Sequence, residues 1–228
     1  MFCESQSFLN FCADDVSGNM PPAQGGLGGS IPTSALNLKS CMVHRVAREE
    51  IQQFVERWHY SKSINGLKAQ YCFQLLSPAG EMIGVAIYGG MAMSGQYKRF
   101  SDLESDVIEL RRLCCIDDTP KNTESYFIGK TIRWLKKNTS IKVIVSYADA
   151  DHGHSGIIYK ACNFEYLGFR KGGKIIVWNG KRYHDKAIRA TFNGKPKPFA
   201  IRLRAALETG EAKYVPALGK HTFIYRLR

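Results

Sequence analysis

The sequence predicts a mixed α/β sheet flanked by helices, with further basic strands and loops toward the C-terminal end. Three observations predict it. Short β-branched or alternating runs recur along the chain, separated by Gly, Pro, Asn and Ser clusters. Two stretches between them carry apolar residues at helical spacing. The composition, 44% hydrophobic and 23% charged over 228 residues, supports a buried core and excludes a largely disordered chain.

Residues 1–40 read as a flexible N-terminal segment. Ser17 to Ser34 is rich in Gly, Pro and Ser, including Pro21-Pro22 and Gly25-Gly26-Leu27-Gly28-Gly29, a composition that gives linker rather than core. One domain is expected over 41–228, its core starting near Cys41. Ile51, Phe54, Val55 and Trp58 follow the i, i+3, i+4, i+7 pattern of a helix stripe, and His59 to Gly66 is a polar loop. Gln70–Leu76 and Glu81–Tyr88 flank the turn Ser77-Pro78-Ala79-Gly80 and predict an antiparallel hairpin. Asp106–Cys115 reads as a strand, Pro120 as a break, and Ser125–Asn138 as a helix with Ile128, Ile132 and Leu135 on one face. The β-branched run Ile141–Tyr147 reads as a buried strand. His154–Asn163 is expected as a short helix and Phe164–Phe169 as a strand. Asn179-Gly180 is a hairpin turn between Ile175–Trp178 and Lys181–His184, and Thr222–Leu227 is a last strand.

Several classes are excluded on composition. The longest uncharged apolar run, Met82–Gly95, contains four glycines and falls short of the ~20 residues of a spanning helix, so no membrane partner is expected. The seven cysteines are odd in number, form no Cys-x-x-Cys pair and follow no basic, apolar leader, which predicts free thiols in a reducing cytosol.

Charge is segregated along the chain. Residues 170–228 hold 15 Lys and Arg against three Asp and Glu, whereas residues 1–169 hold 17 of each, so the last quarter carries the whole net charge of +12. Aromatics are interleaved with these cations: Trp178, Tyr183, Phe192, Phe199, Tyr214, Phe223 and Tyr225. Cations for phosphates and flat rings for bases point to nucleic acid more than to a lipid surface, against the plainer reading of a solvated basic face over core aromatics. Lys181, Arg182, Lys195, Lys197, Arg202 and Arg204 are the candidate nucleic-acid contacts.

The run IIYKACNFEYLGF, at the end of an alternating strand–helix series, resembles the GNAT acyltransferase fold. Taken with WHYSKS, IELRRLCC, SYADADHGHSGIIYKACNFEYLGF and the basic tail, the chain from about residue 40 onward resembles the Mom family of phage DNA-modification proteins. That resemblance implies modification of adenine in phage DNA at the exocyclic 6-amino group with a carbamoylmethyl group, protection against host restriction endonucleases, and a location in the host cytoplasm. It implies two central strands that splay to admit an acyl donor. One departure stands out. Acetyl-CoA enzymes cradle pyrophosphate on a glycine-rich turn opening a helix, but Thr119–Gly129 has one glycine and an acid, Glu124, where anions would dock.

An adenine amino group is a weak nucleophile, so attack on an acyl carbonyl needs an activated donor, a base and an acid. Asp149, at the end of a buried strand, is assigned as base or as the group polarising the amine, or else as a helix cap. Tyr159 occupies the position where the resemblance places a general acid. Arg111 is assigned to a phosphate or a developing oxyanion, and the resemblance prefers it to Arg112, which strand alternation sends to the opposite face. Ser125 is expected to cap its helix or to hydrogen-bond the donor, and His59 or Tyr60 to reach the substrate base. Asp149-Ala150-Asp151-His152-Gly153-His154 gathers carboxylates and imidazoles, so Asp151, His152 and His154 are candidate transition-metal ligands; polar punctuation before a helix is the other reading.

The expected partners are double-stranded DNA, with the adenine drawn out of the stack, a tRNA if it carries the donor, and a second copy of the chain. Two donors are considered: glycyl-tRNA and acetyl-CoA with later amination. A glycyl group on the amine can rearrange through a five-membered ring to the carbamoylmethyl connectivity. The competing functions are a non-catalytic nucleic-acid binder and an acyltransferase acting on a protein or small amine.

Overall fold

A computed structural model describes residues 36–227. The expected flexibility of residues 1–35 lies outside the described residues. Leu38–Ser40 form a single 3-10 turn and Cys41 is buried directly after it. The strands are β1 (Met42–Val46), β2 (Ala69–Leu76), β3 (Met82–Gly89), β4 (Val107–Cys115), β5 (Val143–Asp149), β6 (Glu165–Lys171), β7 (Lys174–Trp178), β8 (Lys181–His184), β9 (Thr191–Phe192), β10 (Lys195–Pro196), β11 (Lys213–Pro216) and β12 (Gly219–Arg226). The helices are α1 (Arg48–Trp58), α2 (Thr123–Asn138), α3 (Ile157–Ala161) and α4 (Pro198–Glu208). A seven-stranded mixed sheet runs in the order β1-β2-β3-β4-β5-β12-β6, with β4 and β5 parallel.

One domain was the expectation from residue 41. The described residues instead pack as two compact units. The first comprises 36–148, 156–167 and 222–227; the second comprises Asp149–Ser155 and Gly168–His221. The division falls inside β5, β6 and β12.

In the first unit, alternation along β3 sends successive side chains to opposite faces. Val85 and Ile87 pack with Ile51 and Val55 of α1; Ala86 and Tyr88 pack with Phe127, Ile128, Ile132 and Leu135 of α2. Each of the Val, Ile, Leu and Phe side chains contributes about 1.5–3 kcal/mol when fully buried. The Tyr88 hydroxyl finds a partner in that apolar layer, lying 2.7 Å from Thr131 Oγ1. Strand β1 was not expected, because His44 and Arg45 break its apolar alternation; it pairs antiparallel with β2 at the sheet edge, where polar residues are tolerated.

The second unit has its own core of Ile176, Leu203, Ala206 and Ala212, with Trp178, Tyr183 and Phe199 packed against it. It contains the three-stranded sheet β11-β7-β8 and the hairpin β9–β10. The sequence reading had only strands and loops here. Helix α4 corrects it: Pro198 sits at its first turn, and Ala200, Leu203 and Ala206 form its buried stripe. The expected helix over 154–163 is shorter, because Gly156 (φ 78°) and Asn163 (φ 61°) adopt left-handed backbone at its two ends.

Among the described residues, no helix is long and apolar enough to cross a membrane. None of the five described cysteines is in a disulfide. Burial pushes Cys72 and Cys162 up to about 11 and Cys115 well above its ordinary value. Because the thiolate is the nucleophile, alkylation of these three at pH 7.5 is expected to be slow in the folded chain and rapid in denaturant. Site-resolved peptide mass spectrometry checks this; rapid native labelling of Cys162 or Cys115 would contradict it.

Candidate active site

The register of the sheet determines where the two arginines of β4 point. Leu110 lies opposite Tyr88 and Arg112 opposite Ile87, so β4 has one residue more than β3 between them, a bulge at Arg111. Cross-strand partners share a face, and Ile87 and Tyr88 face opposite layers. Arg112 is therefore on the face of Ile87 and not on the face of Leu110, so the alternation that sent it away from Arg111 fails. Arg111 Nη1 donates to Glu109 Oε2 at 3.1 Å and to the Gly90 carbonyl at 3.3 Å. Arg112 donates from Nη1 to the Arg111 carbonyl at 2.8 Å, and its Nε is buried with no hydrogen-bond partner among the described residues. Burial lowers the pKa of Arg112, with Arg111 adding to the effect and Tyr60 and Glu109 opposing it.

Beside the bulge, β4 and β5 pair only from Val107–Leu110 against Val143–Ser146. Tyr159 of α3 belongs to the layer that contains Ser146 and Tyr88. Its ring packs on Phe164 and Phe223, with centroids 5.5 and 5.3 Å away. Burial holds its phenol up at about 12, Tyr60, Cys162 and Glu109 push the same way, and Ser146 pulls it back. Ser146 Oγ is fully buried and has no hydrogen-bond partner among the described residues. His59 is 5% exposed. It accepts the Ser61 N–H at Nδ1 (3.1 Å), which puts the proton of the neutral ring on Nε2. Its ring lies 4.2 Å from that of Tyr60, which is exposed.

Among the expected residues, Tyr159 lies within electrostatic reach of Tyr60, whose ring lies against His59, and of Glu109, which pairs with Arg111. The structure adds Glu109, Arg112 and Ser146, which sequence reasoning did not place. Glu109 was legible as the i, i+2 neighbour of Arg111 on a strand; Ser146 was hidden inside an apolar run. Ser125 is not the cap of its helix: Asn122 holds that position, and Ser125, the third residue of α2, donates its hydroxyl to the Asn122 carbonyl at 3.0 Å.

The turn between β4 and α2 and the first turn of that helix carry the carboxylates Asp117, Asp118 and Glu124. Asp117 and Glu124 both have pKa values raised by burial, and their mutual repulsion adds to the shift of Glu124. A diphosphate brought to the start of α2 would meet the exposed Asp117 and the half-buried Glu124 as well as backbone N–H groups.

In the second unit, Asp149 is the N-cap of the 3-10 turn Ala150–His152. It accepts the Asp151 N–H at 3.1 Å and pairs with Lys220 Nζ at 3.0 Å. The expected metal set is not assembled. Among the described residues no three His, Cys, Asp or Glu come together to hold an ion. Asp151 is committed to Arg182 (2.9 Å) and to the Leu218 N–H (3.1 Å). Burial is the largest influence on that carboxyl and pulls its pKa up, but these bonds outweigh it and the net shift is down. Burial lowers both His152 and His154. Lys181, Arg182, Lys195, Lys197, Arg202 and Arg204 are all exposed; Arg204 Nε also donates to the Ile188 carbonyl at 2.7 Å.

The model of the Mom protein family matches residues 40–228. Among curated proteins the chain is similar to "Methylcarbamoylase mom" of Escherichia phage Mu, 28% identical over 154 residues, 65% of this chain and 61% of that relative. The match thus spans less than two thirds of that relative's length. Among solved structures it is similar to a Bacillus subtilis acetyltransferase in complex with CoA (TM-score 0.46, 12% identity, 82% of this chain and 98% of that one). It is also similar to Arabidopsis thaliana NAA60 in complex with acetyl-CoA (TM-score 0.49, 10% identity, again 82% and 98%). Likenesses at this level concern the fold alone.

Proposed function

The chain belongs to the Mom protein family, and from that premise we propose that it is a transferase modifying adenine in duplex DNA. In this reading it converts the 6-amino group to a carbamoylmethylated form, in the host cytoplasm, and so protects phage DNA from restriction. The observation that carries the reading is the cluster around Tyr159: a phenol held protonated beside Ser146, Tyr60 and Glu109, with Arg111 in the bulge of the strand that bears Glu109.

The residues divide the work as follows. Attack of the amine on an acyl carbonyl places negative charge on oxygen, and the Arg111 guanidinium, anchored to Glu109 and Gly90, supplies the countercharge. Tyr159 donates its proton to the departing oxygen of the donor, the role suited to a phenol that stays protonated at neutral pH. In the second unit, Asp149, which pairs with Lys220, is the residue proposed to take the amine proton. The cations of the second unit, 13 Lys and Arg against five Asp and Glu, hold the DNA phosphates.

Glycyl-tRNA is the favoured donor, because carboxylates stand at the start of α2 and an aminoacyl ester brings no diphosphate to them. The adenine nitrogen displaces the tRNA hydroxyl from the glycyl carbonyl. The glycyl amine then attacks C6 of the ring, and the original nitrogen leaves as the amide, giving the carbamoylmethylamino product. Carbon-13 glycine fed to expressing cells is expected to label the modified base; labelled acetate doing so instead would favour the acetyl route.

Nucleoside mass spectrometry of DNA from cells expressing the chain tests the whole reading. An adenosine heavier by a carbamoylmethyl group is expected, and it should vanish with Asp149→Ala. Unmodified adenosine with soluble wild-type protein would move the reading to a nucleic-acid binder.

A further inference from the structure

We propose that Phe192 is the side chain that enters the base stack of duplex DNA and fills the gap left by the extracted adenine. This rests on the DNA-modification reading above. Strands β9 and β10 form a hairpin closed by Asn193-Gly194, both with positive φ (48° and 74°), the compact turn that holds a hairpin tip in one conformation. Phe192 is 70% exposed, more than any other large apolar side chain described. Three other aromatics of this part of the chain have a structural use, since Trp178, Tyr183 and Phe199 pack on one another in the core of the second unit, while Phe169 and Tyr214 are about half exposed. Phe192 is not among the packed three.

Its surroundings specify the partner. Lys195 lies directly opposite Phe192 in the hairpin register, so cation and ring share a face. From Lys186 to Leu207 the chain carries six Lys and Arg and no Asp or Glu. An uncovered ring on a firm tip within a wholly cationic stretch suits a polyanion whose interior is a stack of flat apolar faces. Single-stranded partners offer such faces as well, but a wedge is required only where a base has been removed from a continuous stack.

The experiment uses the full chain and two duplexes of one sequence, one intact and one with an abasic site opposite thymine. Wild type is expected to bind the abasic duplex about tenfold more tightly, the order of a single base–aromatic stack. Phe192→Ala should bind both duplexes alike, keep the intact-duplex affinity and its salt dependence, and lose about tenfold in adenosine modification. Phe192→Trp should retain the preference. Replacing Lys195 and Lys197 together with Gln should weaken both duplexes equally and flatten the salt dependence. Phe192 has no role as a wedge if Phe192→Ala keeps the abasic preference, or if it loses affinity for both duplexes or for unacylated tRNA instead. Wild-type protein that binds neither duplex and leaves adenosine unmodified would remove the DNA reading itself, an outcome distinct from wild-type modification that Phe192→Ala leaves unchanged.

Discussion

Tyr159→Phe is expected to reduce adenosine modification by about 10²–10³-fold, the range for loss of a positioned proton donor, in a chain that stays folded. The ring is retained, so its packing on Phe164 and Phe223 survives; only the hydroxyl is lost. The direction of the pKa shift fixes the role. Burial, with Tyr60, Cys162 and Glu109, raises the phenol to about 12 against the pull of Ser146. It therefore keeps its proton up to strongly alkaline pH and acts as an acid. The pH dependence of modification should accordingly show no alkaline fall from this group between pH 7 and 9. Nucleoside mass spectrometry gives the rate, and circular dichroism with a melting curve gives the fold. A loss under about fivefold in a folded variant would take Tyr159 out of the chemistry.

Gly156→Ala is expected to destabilise the first unit by about 3 kcal/mol or more, from two additive causes. Gly156 opens α3 in left-handed backbone (φ 78°), which costs alanine about 1–2 kcal/mol. A methyl there would also overlap the Phe223 ring, which is fully buried between Tyr159 and Tyr166. Gly66→Ala separates the causes, because Gly66 has the same backbone conformation (φ 74°) with nothing within 4 Å of the added methyl. A melting temperature lower by roughly 10 °C for Gly156→Ala, against a few degrees for Gly66→Ala, is expected for a chain of this size. Equal shifts would mean that the Phe223 ring yields freely.

Elements whose signal is local were legible in the sequence. The α1 stripe, the 69–89 hairpin, the Asn179-Gly180 turn and the β-branched strand β5 each follow from spacing or from one turn residue. Features that depend on a partner strand were not. The bulge at Arg111 appears only in the pairing with β3, and it alone puts Arg112 on the side of Arg111. Helix α4 was obscured because Arg202 and Arg204 interrupt its apolar positions while small alanines form much of its buried stripe. The active-site cluster was half legible for the same reason: Tyr159 and Arg111 stand in recognisable runs, whereas Ser146 looks like a polar interruption of an apolar strand. The metal set is not assembled among the described residues, where Asp151 is held by Arg182 and the Leu218 N–H. Charge segregation along the chain was visible, but the boundary of the second unit was not, since that unit is assembled from two separate segments.

That discontinuity has a consequence for biosynthesis. The ring that seals the layer around Tyr159 belongs to Phe223, and the 54 residues of Gly168–His221 are translated before it. A ribosome delivers the chain from the N-terminus, so helices α1 and α2 and strands β1–β5 emerge while their last core strand is still unmade. The inserted segment can settle around its own apolar centre in the meantime. The nascent first unit must wait with an open seam, which makes the interval before β12 emerges the one in which chaperone capture or mispairing of an uncovered strand edge has its best opportunity.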